Sequence, residues 1–265
     1  MRFGCCVNPE QIEILADAGF DFCELQARTV MPSDDEGAAL PALRTLEAAP
    51  LRAAAFNVLV PPQLRMVGPS ADFEALRTYL RRAFRRMVQV GGAAVVLGSG
   101  GARRIPDGMP RDEALDQLAE ALSIAADEAT EAGIDLALEH LNQGECNVFT
   151  TLHECQTFIE ERGLKGLRLL ADLHHLEVEH EPFADIRAAA PLLAHVHVAD
   201  GGRRPPGNGG YDYAGFMQTL HDIGYDRRIS AECSWNDLQT EAPGALQFMR
   251  ESWNAVVSNQ SLADT

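Results

Sequence analysis

Basic side chains are scarce in this sequence of 265 residues. It contains 22 Lys and Arg against 39 Asp and Glu, which gives a formal net charge of −17 at pH 7 with neutral histidines. A surface with this excess of negative charge repels polyanions. We therefore expect no nucleic acid and no membrane surface as a partner, whereas a small substrate is compatible with this charge.

Long apolar runs are also lacking. No stretch reaches the roughly 18 residues needed to span a bilayer. The chain opens as Met-Arg-Phe-Gly-Cys-Cys-Val, a strand-like segment without the basic and apolar regions of a signal peptide. Its hydrophobic content of 46% and charged content of 23% are typical of a globular protein with a large core. These features predict a cytoplasmic protein.

The six cysteines lack the CxxC spacing of metal and redox motifs. Two of them, Cys5 and Cys6, are adjacent, and neighbouring residues of a strand point to opposite faces. In a reducing compartment we expect free thiols that are mostly buried.

No Gly-x-Gly-x-x-Gly follows the first strand-like run, so the fingerprint of a dinucleotide fold is missing. Short apolar runs alternate instead with longer amphipathic stretches. Eight runs predict strands near 2–7, 20–25, 52–57, 93–98, 134–139, 167–172, 194–199 and 228–232. Asn8 and Pro9 predict the start of a first helix. Further helical patterns lie near 37–48, 71–90, 111–132, 150–163, 183–190, 213–224 and 242–257.

This alternation predicts parallel strands joined by right-handed crossovers. The chain length also matches the ~250 residues typical of one (β/α)₈ barrel. We therefore predict the α/β class and a single (β/α)₈ TIM barrel, with residues 1–265 forming one domain. An open doubly wound sheet is the alternative, but eight repeating units and the missing fingerprint favour closure.

Four of the predicted strands end in a metal-compatible side chain. These residues are Glu139 in Leu-Ala-Leu-Glu, Asp172 in Leu-Leu-Ala-Asp, His197 in His-Val-His and Glu232 in Ile-Ser-Ala-Glu. The carboxyl ends of parallel barrel strands converge on one rim, so the four can meet around one ion. Carboxylate and imidazole ligands suit Mn²⁺, Mg²⁺, Co²⁺ or Zn²⁺, and no thiolate set competes for a softer metal.

The sequence resembles the xylose isomerase-like TIM-barrel superfamily, in particular its sugar phosphate isomerase/epimerase branch with the ketose 3-epimerases and hydroxypyruvate isomerases. The resemblance spans nearly the whole chain. Its most specific parts are Leu-Glu-His-Leu-Asn-Gln-Gly-Glu at 138–145, Ala-Asp-Leu-His-His at 171–175, the segment 195–207 and Ser-Ala-Glu at 230–232.

This resemblance implies that Glu139, Asp172, His197 and Glu232 hold one divalent metal ion. The ion would leave two positions for a carbonyl and a neighbouring hydroxyl, polarise the carbonyl and stabilise an enediolate. Glu139 and Glu232 would serve as catalytic acid and base on the two faces of the substrate. Removal of a proton from one face of the substrate and its return to the other face gives an epimer. Proton transfer along one face gives a 1,2-isomer.

Five further residues are predicted to bind substrate. The resemblance implies this role for His175, for Arg203 and for Glu145, although Glu145 could equally cap the helix that begins near Thr150. Glu24 and Asn57 close the second and third predicted strands, where rim side chains commonly contact sugar hydroxyls. His195 faces the same side as His197 but one layer deeper, and we expect it outside the ligand set.

The predicted function is isomerisation or epimerisation of a small keto-sugar or hydroxy-keto acid. Many sugar-processing activities share these motifs, so a metal-dependent keto-polyol dehydratase resembling inosose dehydratase is the main alternative. An endonuclease IV-like phosphodiesterase would need more metal ligands and a basic face. A non-catalytic sugar-binding protein would not need both candidate acid/base groups. Assembly into a homo-oligomer is compatible with the sequence.

Overall fold

Eight parallel strands close into a barrel in a computed structural model that describes residues 1–263. The last two residues of the predicted 1–265 domain lie outside the described residues. The strands are β1 (Arg2–Cys6), β2 (Phe22–Gln26), β3 (Ala53–Asn57), β4 (Ala94–Leu97), β5 (Asp135–Glu139), β6 (Leu167–Asp172), β7 (Leu193–Val198) and β8 (Arg228–Ala231). β1 pairs with β2 and also with β8, where Phe3 lies opposite Ile229. The prediction of a (β/α)₈ TIM barrel is confirmed, and the open sheet is excluded.

Helices follow the strands around the outside of the barrel. They are α1 (Ile12–Ala18), α2 (Glu36–Glu47), α3 (Phe73–Gln89), α4 (Gly100–Arg103), α5 (Arg111–Ala132), α6 (Leu152–Arg162), α7 (Leu173–Val178), α8 (Phe183–Ala189), α9 (Tyr213–Asp222) and α10 (Leu238–Ala263). Asn8 and Pro9 begin a 3₁₀ turn, Pro9–Gln11, which leads into α1. The short helices α4 and α7 were not predicted, and α10 begins four residues before its predicted start.

Helix ends are fixed by local chemistry. Asp35 and Thr151 accept a hydrogen bond from the third backbone N–H of α2 and α6, a common cap at a helix start. Gly133 and Gly163 end α5 and α6 in the left-handed conformation, which glycine adopts without steric cost.

Apolar side chains fill the barrel below the carboxyl ends of the strands. One buried cluster is Val96, Ala137, Leu170 and Ala194. Because strand side chains alternate, Ala137 and Leu170 lie on the same side as Glu139 and Asp172, one layer deeper. Gly4 leaves space for the ring of Phe22, since a Cβ at residue 4 would come within 2.3 Å of that ring. The polar rim thus rests on a packed base.

All six cysteines are free, and four of them are buried, as the sequence predicted. Among the described helices, none combines the length and apolar character needed to cross a bilayer.

Candidate active site

Four side chains from β5 to β8 meet at one point of the barrel rim. One ligand atom each from Glu139, Asp172, His197 and Glu232 lies within 4.8 Å of the others. Glu139 and Asp172 end their strands, His197 is the penultimate residue of β7, and Glu232 follows β8 directly. The structure therefore brings together the four residues that the sequence indicated as a metal-binding set.

The chemistry of this cluster fits a divalent cation. Asp172 Oδ1 accepts a hydrogen bond from His174 N at 2.7 Å, whereas the buried Oδ2 has no hydrogen-bond partner. Three carboxylates this close together repel one another unless a cation or a proton lies among them. Carboxylate oxygens and an imidazole nitrogen are suitable ligands for such a cation.

Gly98, directly after β4, leaves room for the carboxylate of Glu139. A Cβ atom at residue 98 would come within 2.2 Å of Glu139 Oε2. A larger residue would therefore displace this carboxylate. No signal in the sequence indicated this role, because the contact joins two strands that are about 40 residues apart.

His197 offsets part of the negative charge of the cluster. Burial alone disfavours a charged imidazole, but Glu24 and Glu232 outweigh it and raise the pKa of His197 well above its ordinary value. His197 Nδ1 lies 3.2 Å from Glu139 Oε1 and 3.6 Å from Glu232 Oε2. A metal-bound imidazole is neutral at its ligating nitrogen, so an ion at this point would replace the proton on Nδ1.

The two candidate acid/base carboxylates differ in their surroundings. Burial raises the pKa of Glu139, and the charge of Glu232 adds to this effect although a hydrogen bond from His197 opposes it. Burial acts in the same direction on Glu232, but His197 and Arg203 outweigh it and lower the pKa of Glu232. The two carboxylates therefore have pKa values shifted in opposite directions. They also approach the cluster from different sides of the rim, because Glu139 lies on β5 and Glu232 follows β8.

Arg203 reaches from the β7–α9 loop to the cluster. Its Nη1 donates to Glu232 Oε2 at 2.8 Å and lies 3.8 Å from Asp172 Oδ2. The backbone of Arg203 is left-handed, with φ of 55°, and its carbonyl accepts a hydrogen bond from Ser234 N at 2.7 Å. Burial raises the pKa of Asp172, but His175 and Arg203 outweigh burial and hold it well below its ordinary value.

Arg204 points away from the cluster. Its guanidinium donates to Gly201 O at 2.8 Å and to Gly209 O at 3.0 Å within the same loop. Two adjacent arginines therefore have different surroundings, and Arg203 is the one beside the carboxylates.

His175 and Asn142 form a second polar pair beside Asp172. His175 Nδ1 accepts a hydrogen bond from Asn142 N at 3.2 Å, so in the neutral ring Nε2 carries the proton. This Nε2 lies 3.1 Å from Arg203 Nη2 and 3.5 Å from Asp172 Oδ2. The side-chain nitrogens of His175 and Arg203 thus lie next to each other beside the carboxylate of Asp172. Asn142 had no predicted role, although it lies inside the 138–145 motif.

Glu145 lies at the outer edge of this pair. Its Oε1 accepts from Asn142 Nδ2 at 3.0 Å and lies 3.4 Å from Arg203 Nη2. The alternative role as a helix cap is wrong, because Thr151 caps α6 and Glu154 accepts from Thr150 N. Glu145 is thus placed where a substrate contact is feasible.

Glu24 does not lie at the rim as predicted. β2 extends to Gln26, which leaves Glu24 in the middle of the strand and fully buried. Both carboxylate oxygens are hydrogen-bonded within the protein, to His195 at 2.8 Å, His197 at 2.9 Å and Ser230 at 2.6 Å. Glu24 also lines one of the cavities at the rim, so its expected contact with a sugar hydroxyl stays a prediction. His195 lies outside the four-residue set, in the deeper layer that was predicted for it.

Asn57 ends β3 at the rim, as expected. Its Nδ2 donates to Glu232 Oε1 at 3.3 Å and to Cys6 Sγ at 3.4 Å, while its buried Oδ1 has no partner. Asn57 and Glu232 line both a cavity of about 540 Å³ and a neighbouring one of about 380 Å³. The larger cavity is also lined by Glu139, Glu145 and Arg203. The candidate acid/base groups thus open onto a cleft large enough for a small molecule.

A family model described as a xylose isomerase-like TIM barrel matches residues 12–252. The chain belongs to this family. Over 234 residues it is 29% identical to the D-psicose 3-epimerase of Agrobacterium fabrum, in a match that covers 83% of this chain and 77% of that protein. It is 28% identical to the 3-dehydro-D-guloside 4-epimerase of Escherichia coli, across 58% of this chain and 63% of that protein.

A solved structure of an epimerase has the same fold. The D-psicose 3-epimerase from Clostridium cellulolyticum H10, solved with D-tagatose, superimposes with a TM-score of 0.82 at 20% identity, covering 96% of this chain and 99% of that one. The family model confirms the predicted family, and the two epimerases that are similar in sequence support an enzyme of the isomerase class.

Proposed function

We propose that this protein is a divalent-metal-dependent epimerase of a small keto-sugar. The observation that carries this proposal is the pair Glu139 and Glu232, which belongs to the metal-compatible cluster and opens onto the cleft from different strands. Similarity to sugar 3- and 4-epimerases supports a keto-sugar over the alternative substrates.

Glu139, Asp172, His197 and Glu232 would hold the ion. When bound, the ion supplies a Lewis acid that polarises the carbonyl and makes the neighbouring C–H more acidic. Three carboxylates and one nitrogen are suited to Mn²⁺, Mg²⁺, Co²⁺ or Zn²⁺, and Mn²⁺ is our first choice for experiment.

The remaining chemistry belongs to the side chains of the rim. One of Glu139 and Glu232 removes a proton from the carbon beside the carbonyl, and the other returns a proton to the opposite face, which inverts that centre. Arg203 orients the carboxylate of Glu232 through the 2.8 Å hydrogen bond. The N–H groups of His175 and Arg203 receive a substrate oxygen, and Glu145 and Asn57 contact further hydroxyls.

Deuterium exchange tests this function. Protein loaded with Mn²⁺ is incubated in D₂O with ketohexoses, ketopentoses, hydroxypyruvate and inososes, and the products are followed by NMR and mass spectrometry. We expect one deuterium at the inverted carbon of a ketose. Loss of water from an inosose would instead indicate a dehydratase, and binding without exchange would indicate a non-catalytic protein.

The variants Glu139→Gln and Glu232→Gln should lower this exchange by about 10²–10⁴-fold, the usual contribution of general acid–base catalysis. Metal occupancy should fall much less, because an amide oxygen still coordinates but does not transfer a proton. Near-normal exchange in both variants at full occupancy would place the acid and base elsewhere.

A further inference from the structure

We infer that Glu24 is a positioning residue, which fixes His197 so that Nδ1 is free to bind the ion. This inference rests on the proposed function, in which His197 is a ligand. Glu24 Oε1 lies 2.9 Å from His197 Nε2, and both side chains are fully buried. The other ring nitrogen, Nδ1, faces Glu139 and Glu232.

The direction of this hydrogen bond determines the tautomer. A carboxylate only accepts hydrogen bonds, so His197 Nε2 must carry a proton. A neutral imidazole has one N–H, and its proton on Nε2 leaves the lone pair of Nδ1 pointing at the cluster. Carboxylates that bond the far nitrogen of a metal-binding histidine commonly orient the ring in this way.

Glu24 is itself held by two further donors. Its Oε2 accepts from His195 Nε2 at 2.8 Å and from Ser230 Oγ at 2.6 Å. The buried His195 Nδ1 has no partner, which favours the neutral ring with its proton on Nε2. Glu24 thus accepts hydrogen bonds from side chains of both β7 and β8, which fix its carboxylate beside His197.

An amide cannot replace this carboxylate. Glutamine at residue 24 would present one acceptor and one donor, whereas three N–H or O–H groups point at this side chain. Its NH₂ group would face either the Nε2–H of His197 or the donor groups of His195 and Ser230. One of these bonds must then be lost, or a histidine ring must change its tautomer.

Metal titration and NMR test the inference. We expect Glu24→Gln to bind Mn²⁺ about 10–100-fold more weakly by calorimetry, the usual effect of losing such a partner. Glu145→Gln removes the same charge from the outer part of the cleft without touching His197, so its affinity should change by less than about threefold. Equal affinities of wild type and Glu24→Gln would overturn the inference.

A second measurement needs no variant. In wild type loaded with diamagnetic Zn²⁺, ¹⁵N NMR of the histidines should show His197 protonated at Nε2 and metal-bound at Nδ1. The opposite pattern would overturn the inference even if Glu24→Gln does not fold. Failure of wild type to bind any of the four ions would instead contradict the proposed function itself.

Discussion

Arg203 and Arg204 are neighbours in the sequence, but their side chains have different surroundings. Arg203 bonds the catalytic candidate Glu232, and Arg204 bonds only carbonyls of its own loop. We expect Arg203→Ala to lower kcat/KM by about 10²-fold, the effect of removing one donor that acts on the transition state. Metal affinity, measured by calorimetry, should change little.

The control for this prediction is Arg204→Ala, which should keep kcat/KM near wild type and cost stability of about 1 kcal/mol from its lost hydrogen bonds. Arg203→Lys should recover little activity, because an ammonium does not reproduce the planar arrangement of guanidinium donors. Similar losses of kcat/KM in the two alanine variants would reduce Arg203 to a residue that merely holds the loop.

The sequence predicted single residues correctly where the residue type and its place at a strand end were sufficient. It failed where the depth of a side chain inside the barrel had to be known. The four cluster residues follow from strand ends and ligand chemistry. Glu24 was misplaced because the predicted strand ended at residue 25, whereas β2 ends at Gln26 and pairs there with Asn57. Near a barrel rim, a shift of one residue in a strand end changes how deeply a side chain lies in the barrel.

At the scale of elements, the alternation of apolar and amphipathic stretches predicted all eight strands and the longer helices. The helices α4 and α7 were missed because four and six residues are too few to show helical periodicity. α7 matters for the site, since Asp172 caps it through the bond to His174 N and His175 lies within it.

Glu181 follows α7 and connects it to the start of α6. Its side chain is 5% exposed, and Oε2 accepts from Leu152 N at 2.8 Å. Burial raises the pKa of Glu181 to about 7, although the N–H groups of Leu152 and His153 oppose the shift. The unfolded value is about 4.3. Stability linked to this group is therefore fully present below about pH 4 and is lost as the pH rises through 7.

Glu181→Gln should remove this pH dependence, because the amide keeps an acceptor for Leu152 N but does not ionise. We expect the unfolding free energy of the variant, relative to wild type, to increase between about pH 4.5 and 7 and to level off above. Urea unfolding of both proteins at several pH values in this range measures this difference in unfolding free energy. Glu161→Gln, on the exposed side of α6, is the control, and its curve should run parallel to wild type. A parallel curve for Glu181→Gln would contradict the assigned shift.

At the scale of the molecule, the two halves of the barrel contribute different residues to the candidate site. The cluster residues come from β5 to β8, whereas β2 and β3 contribute the supporting Glu24 and the rim residue Asn57. The repeating pattern predicted this topology. The distances between side chains on different strands were not predictable, since they depend on barrel closure and on contacts such as that between Gly98 and Glu139.

An ion bound by four consecutive strands should stabilise the whole barrel. A ligand that binds only the folded state contributes about 2.7 kcal/mol at 100 times its Kd. For a chain of this size, 1 kcal/mol raises the thermal midpoint by about 2–4 °C. Calorimetry with Mn²⁺ and with EDTA should therefore show a difference of about 5–10 °C.

Asp172→Asn should lose most of this ion-dependent difference, because its amide keeps the cap of α7 through the bond to His174 N but removes a charged ligand. Asp135→Asn is the matched control. It changes the first residue of β5, at the opposite end of the barrel, where Asp135 pairs with Arg227 at 3.0 Å. This variant should keep the full ion-dependent shift whatever its own midpoint. Equal shifts in the two variants would mean that the stabilising ion binds away from the four-residue cluster.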